Sequence, residues 1–194
     1  MSPSGRSRSH IATDRLALRP VARADVEGLH ELWMDRDVRR YVWDGTIRPL
    51  AETAAIVDRS AALFAQRGFG LWVASARVDA KRTARGAEAA ADRLVGFCGY
   101  WFFHDPPELE LLYGLARDAW GRGLATEMAR ALLAHGFAEL GFDEVQASTD
   151  APNVASIRVM ERLGMRFHRR ADDAGRDTLF YRIRREAFCG APAQ

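Results

Sequence analysis

The sequence predicts one α/β domain, of the α+β kind, built on a mixed and twisted sheet of seven strands flanked by helices. Strand-like and helix-like segments follow one another in the order β-α-α-β-β-β-α-β-α-β-β. A length of 194 residues fits a single domain with a sizeable core. Apolar residues make up 48% of the chain and charged residues 28%, which is ordinary usage for a globular protein.

Charge and composition argue against several classes of function. The formal net charge of +2 is too small to predict binding to nucleic acid or to a membrane surface. No apolar run approaches the ~18 residues that span a membrane, and the N-terminus lacks the apolar segment of a secretory signal. Cys98 and Cys189 are too few for a disulfide framework, and neither they nor the histidines show metal-ligand spacing. We therefore expect a reduced, cytoplasmic domain of the size of an enzyme, without a metal.

Residues 13–185 form the predicted domain, between a disordered N-terminal tail at residues 1–12 and a C-terminal tail at residues 186–194. Period-two alternation predicts the strands, and apolar positions three and four residues apart predict the helices. In chain order the predicted elements are a strand around Leu16 and Leu18, helices over 24–37 and 50–66, strands over 69–78, 94–103 and 111–116, a helix from 124, a strand over 145–149, a helix over 154–163, and strands over 165–168 and 179–183.

Two other segments between the predicted elements are informative. Residues 79–92 contain charge, alanine and glycine but no large apolar side chain, which predicts a long, mobile hairpin connection, with a short helix over 88–92 as the alternative. Tyr41 and Trp43 precede a turn at Gly45. These two aromatic residues either frame an acceptor pocket or belong to the core.

The stretch from Glu110 to Phe137 organises the rest of the chain. An apolar run predicts a buried strand, the sequence Gly121-Arg122-Gly123 predicts a turn, and helical spacing resumes at Leu124. Glycines let a ligand approach the backbone, and the free N–H groups and dipole of a helix N-terminus attract phosphate. The stretch therefore predicts a pyrophosphate site, with an ordinary glycine turn as the alternative.

Four motifs in this order resemble the GNAT N-acetyltransferases, in particular the RimJ/RimL-like branch. They are the opening D14-R-L-A-L-R-P20, the run E110-L-L-Y-G-L, the turn W120-G-R-G-L-A-T-E127 and the segment N153-V-A-S156 with E161-R-L-G164-M. The resemblance implies that the glycine turn holds the pyrophosphate of acetyl-CoA. The cofactor-binding residues expected from it are Leu115, Arg117, Gly121, Arg122, Gly123, Leu124, Ala125, Thr126 and Asn153.

Acetyl transfer to an amine requires a base, because an ammonium has no lone pair. We assign this role to Glu110, which matches an acidic residue of the family, with Glu108 in reserve on the same strand face; an exposed edge carboxylate is the alternative for both. Other family members carry a proton-donating tyrosine where this chain has Met160, so Ser156 is the remaining candidate acid. A backbone N–H near Leu115 is expected to polarise the thioester carbonyl, and His104 receives no catalytic role.

The expected function is acetyl transfer from acetyl-CoA to a primary amine, by direct attack on the thioester. The acceptor is either the N-terminal amine of a protein or a small molecule. A non-catalytic CoA-binding or regulatory module of the same fold is the alternative, because the family's tyrosine is missing. A homodimer is left open.

Overall fold

The computed structural model describes residues 10–77, 93–104, 108–173 and 175–190. Within these ranges an eight-stranded sheet carries helices on both faces, which confirms the predicted single α/β domain. The elements are β1 (Ile11–Ala12), β2 (Leu16–Pro20), α1 (Val26–Met34), α2 (Arg36–Arg39), α3 (Leu50–Arg67), β3 (Leu71–Ala76), β4 (Leu94–Phe103), β5 (Glu108–Leu115), α4 (Leu124–Ala138), β6 (Glu144–Asp150), α5 (Val154–Arg162), β7 (Arg166–Asp173), β8 (Arg176–Arg184) and α6 (Arg185–Cys189).

The strands lie side by side in the order β1-β2-β3-β4-β5-β6-β8-β7. Neighbouring strands are antiparallel everywhere except between β5 and β6, which run parallel. The sheet is therefore mixed, as predicted, and its one parallel contact lies between the fifth and sixth strands of this order. Within the described ranges, none of the helices combines the length and apolarity that crossing a bilayer requires.

The predicted count of seven strands is wrong, because the sheet has eight. The additional strand, β1, is two residues long, and so short a segment cannot show the alternation that predicts a strand. Ile11 pairs with Leu18 in β2, so β1 lies within the predicted N-terminal tail of residues 1–12. At the other end, α6 occupies part of the predicted C-terminal tail. The predicted hairpin connection at residues 79–92 lies outside the described residues.

The predicted helix over residues 24–37 is interrupted at Asp35. The carboxylate of Asp35 accepts hydrogen bonds from the backbone N–H groups of Asp37 and Val38, at 2.9 Å and 3.1 Å. Aspartate in this position caps a new helix rather than continuing the old one. The chain therefore turns between α1 and α2, and the segment that follows α2 carries Tyr41 and Trp43 towards the centre of the sheet.

Two apolar clusters cover the two faces of the sheet. One packs α4 and α5 against strands β2 to β6, with Met128, Leu132 and Met160 fully buried. The other packs α1 and α3 against β3 and β4, with Trp33 and Phe97 at its centre. Burial of this apolar surface is the main stabilising contribution to the fold, and it fixes which strand face each helix covers.

Close packing of α4 on β4 gives a stability prediction. The hydroxyl of Tyr100 donates to the Leu132 carbonyl at 2.8 Å, and a Cβ added at Gly136 would lie 2.2 Å from that hydroxyl oxygen. Gly136→Ala should therefore lower the free energy of unfolding by about 1–3 kcal/mol, through overpacking. Gly28→Ala in α1 is the control: its Cβ would meet nothing within 4 Å, and alanine favours a helix by roughly 0.5–1 kcal/mol. Chemical denaturation measures both, and equal stability of the two variants would contradict the packing argument.

Candidate active site

A cleft opens where β5 and β6 separate. The parallel pairing between these strands is restricted to Glu110 with Gln146. Successive strand residues point to opposite faces, so Leu112 packs with the α1 and α3 cluster while Leu111 is buried in the α4 and α5 cluster. Beyond Glu110 no further ladder pair joins the described residues of the two strands, and residues from both faces of β5, Leu112 and Tyr113 among them, line the opening.

A cavity of about 570 Å³ lies at this cleft. Of the sequence-predicted site residues, Glu110, Asn153 and Ser156 line it together. The aromatic residues Tyr41 and Trp43 line it as well, which supports the pocket interpretation of those two residues. The other lining residues are Val42, Phe97, Trp101, Phe103, His104, Leu111, Leu112, Tyr113, Ser148, Thr149, Asp150, Asp173, Arg176 and Thr178.

Glu110 is almost completely buried, with 2% of its surface exposed. Its Oε1 accepts from Gln146 Nε2 at 2.8 Å and contacts His104 Nε2 at 3.0 Å, and its Oε2 accepts from Ser148 Oγ at 2.5 Å. A carboxylate has about four acceptor sites. Three are therefore used by described residues, and the remaining one belongs to Oε2. The alternative of an exposed edge carboxylate is wrong for Glu110.

His104 joins this buried carboxylate to the protein surface. Its Nε2 lies 3.0 Å from Glu110 Oε1 and its Nδ1 lies 2.8 Å from Asp173 Oδ2, in a carboxylate that is 42% exposed. The hydrogen bond with Glu110 is the largest cause that raises the pKa of His104 to about 8, and Asp173 adds to it against the opposing effect of burial. At neutral pH the ring is therefore mainly an imidazolium that donates to both carboxylates.

His104 receives no role from the sequence, because its partner Asp173 is remote along the chain and lies on β7. His104 directly follows β4, where its φ of +66° turns the chain. A left-handed residue that is not glycine is uncommon, and such conformations concentrate at functional sites. That backbone conformation is the signal that identifies His104, and it is visible only in the tertiary structure.

Glu108, the reserve base, has a different environment. It forms an ion pair with Arg169 at 3.1 Å and accepts a hydrogen bond from the Gln146 amide. The Gln146 hydrogen bond is the principal cause that holds the pKa of Glu108 below its usual range, and Arg169 contributes while burial opposes it. A lowered pKa makes Glu108 a weaker base than an ordinary glutamate carboxylate.

Ser156 and Tyr113 form a pair of hydroxyl groups on the α4 and α5 side of the cleft. Their hydroxyl oxygens are 2.9 Å apart, and the Tyr113 hydroxyl also donates to the Ser156 carbonyl at 3.2 Å. Burial raises the pKa of Tyr113 to about 12, so its hydroxyl stays protonated. Met160 is fully buried in the core. The sequence pointed to Ser156 but not to Tyr113, because the contact joins β5 to α5 across the cleft.

Asn153 caps α5, as its position before the helix predicts. Its Oδ1 accepts from the backbone N–H of Ser156 at 3.3 Å, while its Nδ2 donates to Thr149 Oγ1 at 3.0 Å. The capping role is confirmed by these contacts. The contact with the cofactor that the family resemblance implies stays a prediction.

The glycine turn has the geometry expected of an anion site. Gly121 and Gly123 have φ values of +72° and +75°, and Gly123 is the N-cap of α4, so no side chain caps the first-turn N–H groups of this 15-residue helix. Arg15 supports the turn by donating to the Arg122 carbonyl at 2.8 Å and to Glu127 Oε2 at 2.6 Å. An uncapped helix N-terminus approached through glycine fits a bound pyrophosphate. The turn lies outside the cavity lining, past the C-terminal end of β5.

The remaining predicted cofactor residues have distinct positions. The Ala116 N–H donates to the Val95 carbonyl at 2.9 Å. Hydrogen-bonded and non-bonded pairs alternate along an antiparallel ladder, so the backbone N–H and C=O of the preceding residue, Leu115, point away from β4 and towards the cleft. Leu124 is buried, with 4% of its surface exposed, which leaves only its backbone available to a ligand. Arg117 forms an ion pair with Asp37.

Comparison with known proteins agrees with this geometry. The family model described as "Acetyltransferase (GNAT) domain" matches residues 15–166. The uncharacterized protein YkkB of Bacillus subtilis (strain 168) is 32% identical over 164 residues, which cover 83% of this chain and 87% of YkkB. The uncharacterized N-acetyltransferase p20 of Bacillus licheniformis is 27% identical over 161 residues, which cover 79% of this chain and 80% of p20.

A solved structure shares the fold. The RimL ribosomal L7/L12 alpha-N-protein acetyltransferase, in complex with coenzyme A, superposes with a TM-score of 0.72 at 17% identity, over 92% of this chain and 99% of RimL. At this identity the likeness supports the predicted RimJ/RimL-like resemblance as one of fold. The family match extends over most of the chain, and the relative above 30% identity covers most of it again. The chain therefore belongs to the GNAT acetyltransferase family.

Proposed function

We propose that this acetyltransferase moves the acetyl group of acetyl-CoA to a primary amine, with Glu110 and His104 removing the proton of the amine. The observation that carries the proposal is the environment of Glu110. It is a buried carboxylate at the cleft that keeps one acceptor site among the described residues, and His104 connects it to Asp173 at the surface. A base in this position is what an ammonium acceptor requires.

The glycine turn and β5 would hold the donor. The N–H groups of Leu124, Ala125 and Thr126 would bind the pyrophosphate, and the Leu115 backbone would face the arm that carries the acetyl group. Five residue steps of extended strand separate Leu115 from Glu110, about 17 Å. Bound acetyl-CoA supplies the thioester, whose carbonyl carbon is open to attack by a neutral amine. The RimL structure, described as a complex with coenzyme A, supports a donor of this class.

Glu110 Oε2 would take the proton from the ammonium. The proton would then leave Oε2 through the Ser148 hydroxyl, which lies 2.5 Å from Oε2 and 3.4 Å from His104 Nε2. From Nε2 it would pass through the ring, whose Nδ1 lies 2.8 Å from Asp173, to solvent. His104 accepts at Nε2 only when its ring is neutral. Turnover should therefore increase as the pH rises through the His104 pKa of about 8.

Transfer joins the amine nitrogen to the acetyl carbonyl carbon, and the bond from that carbon to sulfur breaks. The sulfur retains the electron pair of the broken bond, and the hydroxyl groups of Ser156 and Tyr113 would stabilise it by hydrogen bonding. It would then take up the second proton, which the nitrogen releases as the amide forms, to give the free thiol. Because the Tyr113 pKa is raised to about 12, its hydroxyl remains a donor throughout the working pH range. These two residues would serve in place of the tyrosine that Met160 replaces.

The direct test is release of free thiol from acetyl-CoA in the presence of a panel of primary amines. Glu110→Gln should lower turnover by roughly 10²–10⁴-fold while leaving acetyl-CoA affinity nearly unchanged, because the variant lacks the base but not the turn. Glu108→Gln is the matched control and should change turnover by less than about threefold. Melting temperatures check that both variants fold. A non-catalytic module would release no thiol with any amine, and full activity of Glu110→Gln would place the base elsewhere.

His104→Asn tests the proton path, since asparagine tolerates the left-handed backbone but cannot reach Glu110. On one saturating amine, the rise in turnover around pH 8 should be present in the native enzyme and absent in the variant.

Stability gives a second reading of the same variant. The pKa of His104 is raised from 6.5 to about 8 in the folded protein, so the protonated ring stabilises the fold. This stabilisation is complete below pH 6.5 and is lost as the pH rises through 8. The excess free energy of unfolding of the native protein over His104→Asn should therefore fall by up to about 2 kcal/mol between pH 6 and about pH 9. An excess that does not change with pH would contradict the ion-pair assignment.

Gly123→Asp tests the phosphate site. The aspartate would place a negative charge at the helix N-terminus where the pyrophosphate is expected, and CoA affinity should fall by tenfold or more, about 1.4 kcal/mol. Gly123→Asn is the control, because both side chains tolerate a φ of +75° and differ in charge. Isothermal calorimetry with CoA measures both variants. Equal affinities would mean that the turn binds no phosphate.

A further inference from the structure

We infer that the acceptor is a small arylalkylamine: a monoamine whose short carbon chain ends in an aromatic ring. This inference rests on the proposed function and specifies its substrate. It follows from the juxtaposition of a wall of aromatic side chains with a carboxylate cluster that carries a single uncompensated negative charge. Both features line the same cavity of about 570 Å³, a size typical of small-molecule sites.

The aromatic wall begins directly beside the proposed base. Trp101 is the cross-strand partner of Glu110 in the β4–β5 ladder, and opposed side chains lie on the same face with Cβ atoms about 5 Å apart. Phe103 is two residues further along β4, on the same face. Trp43 closes the wall, with its ring centroid 6.0 Å from the rings of both Trp101 and Phe103. If an amine binds with its nitrogen at Glu110, the carbon atoms next to that nitrogen would therefore contact aromatic rings.

Core packing does not account for the whole of this wall. Tyr41, Trp43 and Phe103 remain partly exposed, and all three line the cavity. Trp43 has a φ of +50°, which is an uncommon backbone conformation for a bulky residue. Such a conformation persists only where the surrounding structure imposes it. Partly exposed aromatic faces around a concave site are the usual lining of a pocket for an apolar ligand.

The charges at the other side of the cavity match one ammonium group. Asp150 is paired with Arg176 at 2.9 Å. Glu110 and Asp173 share a single cation, His104, which is protonated below pH 8. The two carboxylates and one imidazolium leave one negative charge among the described side chains that line the cavity. A monoamine neutralises that charge, whereas the second ammonium of a diamine would find no further unpaired carboxylate among these side chains.

A protein N-terminus fits this arrangement less well. In a peptide the amine is followed within two bonds by a backbone amide, which needs hydrogen-bonding partners when it is buried. On the face of Glu110 that packs with α1 and α3, the neighbouring side chains are Trp101, Phe103 and Leu112. Ser148 and His104, two polar groups in direct contact with Glu110, are already bonded to it.

Three acceptors of different chemistry test the inference with the full-length enzyme. They are 2-phenylethylamine, 1,4-diaminobutane and a short peptide with an N-terminal serine. We expect kcat/KM for 2-phenylethylamine to exceed the values for the other two acceptors by about tenfold or more. In calorimetry without any acetyl donor, 2-phenylethylamine should be the one acceptor of the three that binds. A higher kcat/KM for the diamine or the peptide would overturn the inference.

Two phenylalanine variants locate the effect. Phe103→Leu keeps an apolar side chain but removes a ring of the wall, and should weaken binding of 2-phenylethylamine by about tenfold. Phe167→Leu is the control, because this ring lies on β7 with 56% of its surface exposed and does not line the cavity. Equal effects of the two substitutions would also overturn the inference. If no amine caused thiol release, the proposed function would be refuted. The calorimetric comparison of the three amines would still show which class of amine the cavity binds.

Discussion

The separation of β5 from β6 is the constraint on which the rest of the site depends. A parallel contact limited to Glu110 and Gln146 leaves the backbone of Leu115 without a ladder partner on β6. Unpaired backbone groups in the middle of a sheet are costly unless something bonds to them. Part of this cost is met inside the chain, because the indole N–H of Trp120 donates to the Leu115 carbonyl at 2.9 Å. The remaining groups are available to a ligand, so the defect in the sheet creates the binding cleft.

Burial of the Glu110 charge is possible only because several elements converge on it. Gln146 and Ser148 come from β6, His104 from the end of β4, and Asp173 from β7. A buried carboxylate without such partners would take up a proton and lose its use as a base. The same donors that stabilise the charge also connect it to solvent. Stability of the site and proton transfer therefore depend on the same hydrogen bonds.

Strand alternation separates the two halves of the proposed reaction. Glu110 lies on the sheet face that α1 and α3 cover, whereas Tyr113 lies on the face of α4 and α5 and meets Ser156 there. Side chains alternate between the two faces along a strand, so positions that differ by an odd number lie on opposite faces. Glu110 and Tyr113 differ by three. The base and the hydroxyl pair are thus held on opposite sides of one cleft, without any loop having to move.

Local patterns in the sequence determined most of the elements, the glycine turn and the capping role of Asn153, because periodicity, glycine and helix caps act over a few residues. They did not show the two-residue strand β1, the helix α6 or the break between α1 and α2. They also determined that Glu110 stands at the start of a buried run. The tertiary structure alone decided what surrounds that carboxylate: His104 and Asp173 are far apart in the sequence and meet through strand order. Hydrogen bonds between distant residues leave no periodic trace in a single sequence. For the same reason the sequence suggested Ser156, next to a recognisable cap, while its partner on β5 became visible only once the strands were packed.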